Sequence, residues 1–140
     1  MVKKIKVLHI DDSKAILTAI GEICRDPKVA IEYEGTVEWS RIVPAIKEAR
    51  AAFLEIILIT DLEMSHAGGI NGDSVAKSTR KSYPDIPIII FTGNPENGAL
   101  VKNQIETVSG PNGAMIRVIG KREKEFLREL LMSLKRDVFP

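Results

Sequence analysis

The sequence predicts an α/β fold of three layers, a five-stranded parallel sheet covered by helices on both faces. Three observations carry this. Ile56 to Asp61 (Ile-Ile-Leu-Ile-Thr-Asp) opens with four branched apolar residues in succession, as expected of a strand buried on both faces in the middle of a parallel sheet. Strand-like and helix-like segments alternate five times along the chain, which calls for right-handed crossovers between parallel strands. The polar residues Asp11, Asp12, Asp61, Thr92 and Lys121 each follow an apolar run, at the end where open α/β sheets bind their ligands.

Taken in order, Ile5 to Ile10 is the first strand, interrupted only by Lys6 and His9 and ending in Asp11-Asp12. Ser13 is placed to cap a helix whose stripe is Ile16, Leu17, Ile20, Ile23 and Cys24, and Asp26-Pro27 stops it. Cys24 is therefore read as packing, as is His9. Val29 to Tyr33 alternates apolar and charged residues as an edge strand does, and Gly35 closes it. From Val37 to Ala52 the residues Ile42, Val43, Ile46 and Ala49 keep helical spacing, with Pro44 expected to kink or split the segment. Trp39 and Phe53 are read as packing residues.

After the central strand, a glycine-rich loop from Ser65 to Asn71 leads through Gly72 to a short helix, Asp73 to Tyr83, stopped by Pro84. Pro87 to Phe91 is the fourth strand and finishes in Thr92-Gly93. Asn94-Pro95 pairs an N-cap with a proline at the first helical position, and the helix should run to about Val108. Ser109 to Gly113 is a turn, and Ala114 to Ile119 is the last strand, ending in Gly120-Lys121. In the last helix, from Arg122 to about Val138, Phe126, Leu127, Leu130, Leu131 and Leu134 share one face.

Bulk properties narrow the function. A chain of 140 residues accommodates one ordinary domain, 1–140, and leaves no room for a separate output domain. Twenty basic and nineteen acidic residues give a net charge of +1, which provides no footprint for direct nucleic-acid binding. One cysteine excludes an intrachain disulfide and a cysteine-based zinc site, and the short basic N-terminus supports neither a signal peptide nor membrane insertion. The expectation is a cytoplasmic protein.

The chemistry lies in the strand-end residues. Carboxylates brought to one point raise one another's pKa unless a cation neutralises them, and Mg²⁺ binds characteristically through one or two carboxylates with phosphate oxygens and water. A lysine and a hydroxyl on the opposite rim suit the remaining oxygens of a phosphoryl group. The site is expected to handle phosphate. His66, loop-borne and close in sequence to Asp61, is a weaker candidate for metal ligand or rival phosphoacceptor, because a lone histidine lacks a ligand set.

From Ile5 to Val138 the sequence resembles the receiver domain of two-component response regulators, of the single-domain chemotaxis type. The matching motifs are Asp11-Asp12, Asp61-Leu62-Glu63-Met64, Thr92-Gly93 and Lys121, in order and each after its strand. The resemblance implies a flavodoxin-like doubly wound sheet of order 2-1-3-4-5. It implies that Asp61 is the phosphoacceptor, taking a phosphoryl group from a histidine kinase or phosphotransfer protein. Asp12, Asp61 and the backbone carbonyl of Glu63 would bind Mg²⁺, with Asp11 acting through water or around the ligands. Lys121 and Thr92 would hold phosphoryl oxygens, and Gly93 would leave the approach open.

The output would be altered affinity for a downstream protein, as a monomer or phosphorylation-linked dimer. Its surface would be the segment from Pro95 to Val108 with the last strand and helix, where Lys102, Arg117, Lys124 and Arg128 are expected to be exposed. Two departures bear on switching. Val118 stands where the family has an aromatic residue, which implies a smaller rearrangement behind Thr92. Arg122 stands where the family has a proline after the lysine, so a trans Lys121–Arg122 bond is expected. These departures motivate an alternative, a receiver-like scaffold not switched by phosphorylation. A small Mg²⁺-dependent phosphohydrolase ranks last: Glu63 has the spacing of a second acid, but no insertion is large enough to cap a substrate.

Overall fold

The computed structural model describes residues 4–63, 72–109 and 113–139. Five strands form one parallel sheet in the order β2-β1-β3-β4-β5: β1 (Ile5–Ile10), β2 (Glu32–Thr36), β3 (Glu55–Thr60), β4 (Ile88–Thr92) and β5 (Ile116–Gly120). The helices between and after them are α1 (Lys14–Arg25), α2 (Ile42–Ala51), α3 (Gly72–Ser82), α4 (Pro95–Ser109) and α5 (Lys124–Ser133). The α/β class and the 2-1-3-4-5 order are those expected. The loop 65–71 and the turn residues 110–112 lie outside the described residues.

The continuous apolar runs serve two cores, because successive strand residues point to opposite faces. Leu8, Ile10, Ile56, Leu58, Ile88 and Ile90 face α2, α3 and α4, where Ile42, Ile46, Val75, Val101 and Ile105 meet them. Val7, Ile57, Ile59, Ile89 and Phe91 face α1 and α5, against Ile20, Cys24, Leu127 and Leu131. The three middle strands are thereby fixed from both sides, and the residues that follow them inherit that rigidity.

Local chemistry sets the helix ends. Ser13 Oγ accepts a hydrogen bond from Ile16 N at 3.3 Å, and Asn94 Oδ1 accepts from Asn97 N at 3.2 Å. Both are the side-chain caps foreseen. Pro44 falls in the first turn of α2, where its missing N–H is tolerated, and a 3-10 turn at Trp39–Arg41 precedes it. The segment is split rather than kinked. Trp39 packs on the core as expected.

Four expectations need correction. The second strand begins at Glu32 rather than Val29, because Val29 N and Ala30 N both turn back to Asp26 O and Ala30 has φ 50°. Val29 and Ile31 are still buried, so their apolar character reflects packing ahead of the strand. Gly35 accordingly lies inside β2 instead of closing it. Phe53 does not pack: it follows α2 with φ 60° and is 94% exposed. Phe126 is also exposed, since the buried stripe of α5 is Leu127, Leu131 and then Leu134, with Leu130 partly buried beside it. Other strand and helix ends differ from expectation by one or two residues, and the last turn, Leu134–Val138, is π-helical.

Candidate functional site

Asp11 and Asp61 are delivered by adjacent strands, β1 and β3, whose last paired residues are Ile10 and Thr60. Asp61 N donates to Ile10 O at 3.1 Å, so the two acids are held by the same ladder. Both side chains are buried, and half-buried Asp12 joins them: the three offer carboxylate oxygens within 4.8 Å of one another. Lys121 reaches in from the end of β5. Its Nζ lies 3.0 Å from Asp61 Oδ2, as a hydrogen bond, and 3.1 Å from Asp11 Oδ2, as an ion pair.

Backbone donors hold the other carboxylate oxygens. Ser13 N donates to Asp11 Oδ1 at 2.9 Å, and Glu63 N donates to Asp61 Oδ1 at 3.2 Å. The Glu63 side chain is exposed, so only its backbone borders the cluster. Thr92 is buried at the end of β4. Its hydroxyl oxygen accepts from Asn94 N at 3.0 Å, and its carbonyl accepts from Lys121 N at 2.9 Å. The Thr92 hydroxyl hydrogen is thus not used in that bond. His66 lies outside the described residues.

The electrostatics follow from burial. Desolvation pushes the Asp11 carboxyl up to about 6, with the Asp61 charge adding to it and the Ser13 N–H and Lys121 opposing. Burial alone would depress Lys121, but its contacts with Asp61 and Asp11 outweigh that and raise it. Three carboxylates against one ammonium leave a local charge of −2 when all are ionised, and the buried Asp11 Oδ2 shares that ammonium, 3.1 Å away, with Asp61. An all-oxygen donor set with a net negative charge fits a hard divalent cation.

Two glycines shape the site's surroundings, and neither was foreseen. Gly72 N donates to Leu62 O at 3.3 Å, and a Cβ there would overlap the Asp61 carbonyl oxygen and stand 2.6 Å from Leu62 Cα. The start of α3 therefore rests on the backbone that carries Asp61. Gly72→Ala should displace that backbone and lower stability by more than about 2 kcal/mol, as overpacking into backbone does. A urea midpoint unchanged from wild type would contradict it. Gly98 of α4 lies over β4 and β5, where a Cβ would come 2.6 Å from Val118 Cγ1 and 3.2 Å from Thr92 Cγ2. Val118 thus packs against α4.

No cis peptide bond occurs among the described residues, so the Lys121–Arg122 bond is trans, as expected. Of the cations anticipated on the α4–β5–α5 side, Arg117 and Lys124 are exposed and Lys102 is half-buried. Arg128 is instead drawn to Asp26, at 2.9 Å.

No family model and no curated protein matches the sequence. Solved structures do match. A response regulator receiver domain protein from Clostridium thermocellum is 19% identical, with 96% of this chain and 98% of that one covered at a TM-score of 0.65. The fold is that of a receiver domain. The receiver fold recurs in a match to the co-crystal structure of the Saccharomyces cerevisiae histidine phosphotransfer signalling protein Ypd1 and the receiver domain of its downstream response regulator Ssk1. That match is 19% identical, covers 100% and 94% of the two chains, and has a TM-score of 0.67. The Mn²⁺-bound form of response regulator Rcp1 is 13% identical, with 96% and 94% covered and a TM-score of 0.60. In receiver-fold terms, Asp61 closes the central strand and Asp11-Asp12 its neighbour. Among the described residues no helix is long and apolar enough to cross a membrane.

Proposed function

We propose that the chain is a receiver of a two-component system that accepts a phosphoryl group on Asp61 and signals through altered affinity for another protein. The observation that carries this reading is the cluster of Asp11, Asp12 and Asp61 within 4.8 Å, with the Lys121 ammonium 3.0 Å from Asp61. The phosphotransfer complex among the structural matches supports a phosphohistidine-bearing partner, and the Mn²⁺-bound match supports a divalent cation, for which we propose Mg²⁺. Asp12 and Asp61, with the Glu63 backbone carbonyl, would hold the cation, and Asp11 would support them. When bound, the cation supplies charge neutralisation between the carboxylates and the phosphoryl oxygens.

In the transfer, a carboxylate oxygen of Asp61 attacks phosphorus, the P–N bond to the donor imidazole breaks, and an acyl phosphate forms while the imidazole recovers a proton from solvent. Lys121, already aimed at Asp61 Oδ2, moves its positive charge to the incoming phosphoryl oxygens. The Thr92 hydroxyl, whose oxygen is fixed by Asn94 N, donates its hydrogen to one of them. Apart from gaining and losing its own phosphoryl group, the protein turns over no substrate. Within residues 1–140 we assign no separate output domain, no direct nucleic-acid contact and a cytoplasmic location.

Mass spectrometry after acetyl phosphate treatment tests the reading. A single phosphoryl adduct that requires Mg²⁺ and maps to Asp61 is the expected result, and an adduct formed equally in chelator would overturn it. The contact of Val118 with Gly98 favours one second reading, a receiver-like scaffold in which phosphorylation moves little. A labelled protein whose α4–β5–α5 amide shifts stay at their unlabelled values would select the scaffold.

A further inference from the structure

Asp11 Oδ2, the oxygen beside Lys121, also faces the ring of His9, which the phosphate chemistry does not use. His9 is fully buried on β1, its ring stacked edgewise against Tyr33 at 5.9 Å and Phe91 at 6.5 Å. His9 Nδ1 lies 2.9 Å from Tyr33 Oη, and Tyr33 Oη lies 2.9 Å from Leu17 O. A phenol has one hydrogen, and a carbonyl can only accept. Two acceptors 2.9 Å apart require a hydrogen between them, so the Tyr33 hydrogen belongs to Leu17 O. The Tyr33 oxygen is then an acceptor for His9, and the hydrogen on that side is carried by Nδ1.

The opposite ring nitrogen is consequently bare in the neutral imidazole. His9 is fully buried beside the Lys121 ammonium's carboxylate pair, and desolvation keeps such an imidazole neutral. His9 Nε2 faces Asp11 Oδ2 at 3.9 Å and has no hydrogen-bond partner among the described residues, while that oxygen is paired with Lys121. The slot for Tyr33 is made by two glycines. A Cβ on Gly35 would stand 2.7 Å from Tyr33 Oη, and one on Gly21 would stand 3.1 Å from the Tyr33 ring.

We propose that Tyr33 and His9 are a positioning pair: Tyr33 locks His9 in the Nδ1–H tautomer, which turns a lone pair toward Asp11 Oδ2 and leaves that oxygen to Lys121 and to its supporting role around the cation that Asp12 and Asp61 would hold. The inference rests on the cation reading of the cluster. A histidine in the other tautomer would turn Nε2–H toward Asp11 Oδ2 and draw on the charge with which Asp11 supports the cation. The pair acts through Asp11 and touches neither the phosphoryl group nor the cation.

Tyr33→Phe removes the oxygen that fixes the tautomer and keeps the ring. In a His66→Ala background, proton–nitrogen correlation spectra of the single remaining imidazole should show a protonated Nδ1 in the metal-free protein. Tyr33→Phe in that background should transfer the hydrogen to Nε2 and weaken Mn²⁺ and Mg²⁺ binding by about tenfold, the usual scale for partners of metal ligands. An Nε2–H signal in the parent, a tautomer unmoved by Tyr33→Phe, or an unchanged affinity despite a moved tautomer would each overturn the proposal. A parent with the assigned tautomer that binds neither cation would instead sink the cation reading, and the positioning role with it. Gly35→Ala, which pushes Tyr33 Oη out of its slot without altering the ring, should reproduce the shift in tautomer.

Discussion

Asp61→Asn should abolish labelling by acetyl phosphate at every Mg²⁺ concentration. The amide has nearly the shape of the carboxylate and can keep a contact with Lys121, but it carries no nucleophilic oxygen charge. Since the Asp61 charge is one of the causes that raise the Asp11 carboxyl, its removal also relieves repulsion in a buried site, so the variant should fold at least as stably as wild type. Loss of labelling is therefore attributable to chemistry when the urea midpoint is unchanged or higher. Peptide mapping decides the assignment. A phosphoryl group found on Asp12 or His66 in the variant would show that the nucleophile is not unique to Asp61.

Lys121→Met should produce the largest loss of stability among single changes at the site. Its ammonium is the counter-charge within 3.1 Å of both Asp11 Oδ2 and Asp61 Oδ2, whose side chains are 0% and 1% exposed. Removing one partner of a fully buried ion pair costs about 3 to 5 kcal/mol. The lysine keeps part of its solvent contact, so a loss of about 2 to 3 kcal/mol is expected at pH 8.

The loss should shrink as pH falls. Asp11 titrates near 6 in the folded protein against an ordinary 3.8, so its protonation favours the folded state fully below about 3.8, and that contribution is gone once pH rises through about 6. Without Lys121 the carboxyl moves higher still. His9 works in the opposite sense, since a folded value of about 3 against 6.5 withdraws stability as pH falls below 6.5. Desolvation, the larger cause, is common to variant and wild type, whereas the Lys121 charge is lost in the variant, so His9 there moves back toward its ordinary value and adds to the narrowing of the deficit at low pH. Urea unfolding at pH 5 and pH 8, with and without Mg²⁺, should show the deficit smaller at pH 5 and partly restored by Mg²⁺ at pH 8. A deficit independent of both would mean that Lys121 contributes packing rather than charge.

The central strands could be read from the sequence because burial on both faces leaves an unmistakable run of Ile, Leu and Val, and the acids could be read because each run ends in one. The edge was harder. Val29 and Ile31 look like strand residues because they are buried, yet the backbone around Ala30 turns back on Asp26, a choice made by hydrogen bonds that composition does not encode. Phe53 and Phe126 misled for the converse reason: an aromatic residue near a helical stripe reads as core, but Phe53 follows its helix at φ 60° and the rotation of α5 turns Phe126 outward. At the site, the role of Gly72 and the pairing of His9 with Tyr33 depend on distances between segments far apart in the chain. A histidine in an otherwise apolar strand two residues before an acid was the available signal for the second, but nothing in the spacing named its partner.

The order of the sheet divides the site into a firm half and a loose half. Asp11 and Asp61 follow β1 and β3, which have a neighbouring strand on either side, whereas Lys121 follows β5, which has one neighbour and lies at the rim. Strands paired on one side exchange their amide hydrogens through smaller, more frequent openings than strands paired on both. Excursions of the rim can therefore carry the lysine away and bring it back while the carboxylates hold their places. What such an opening leaves behind is an uncompensated nest of acids, which on the proposed cation reading would hold a cation more tightly than the resting form does.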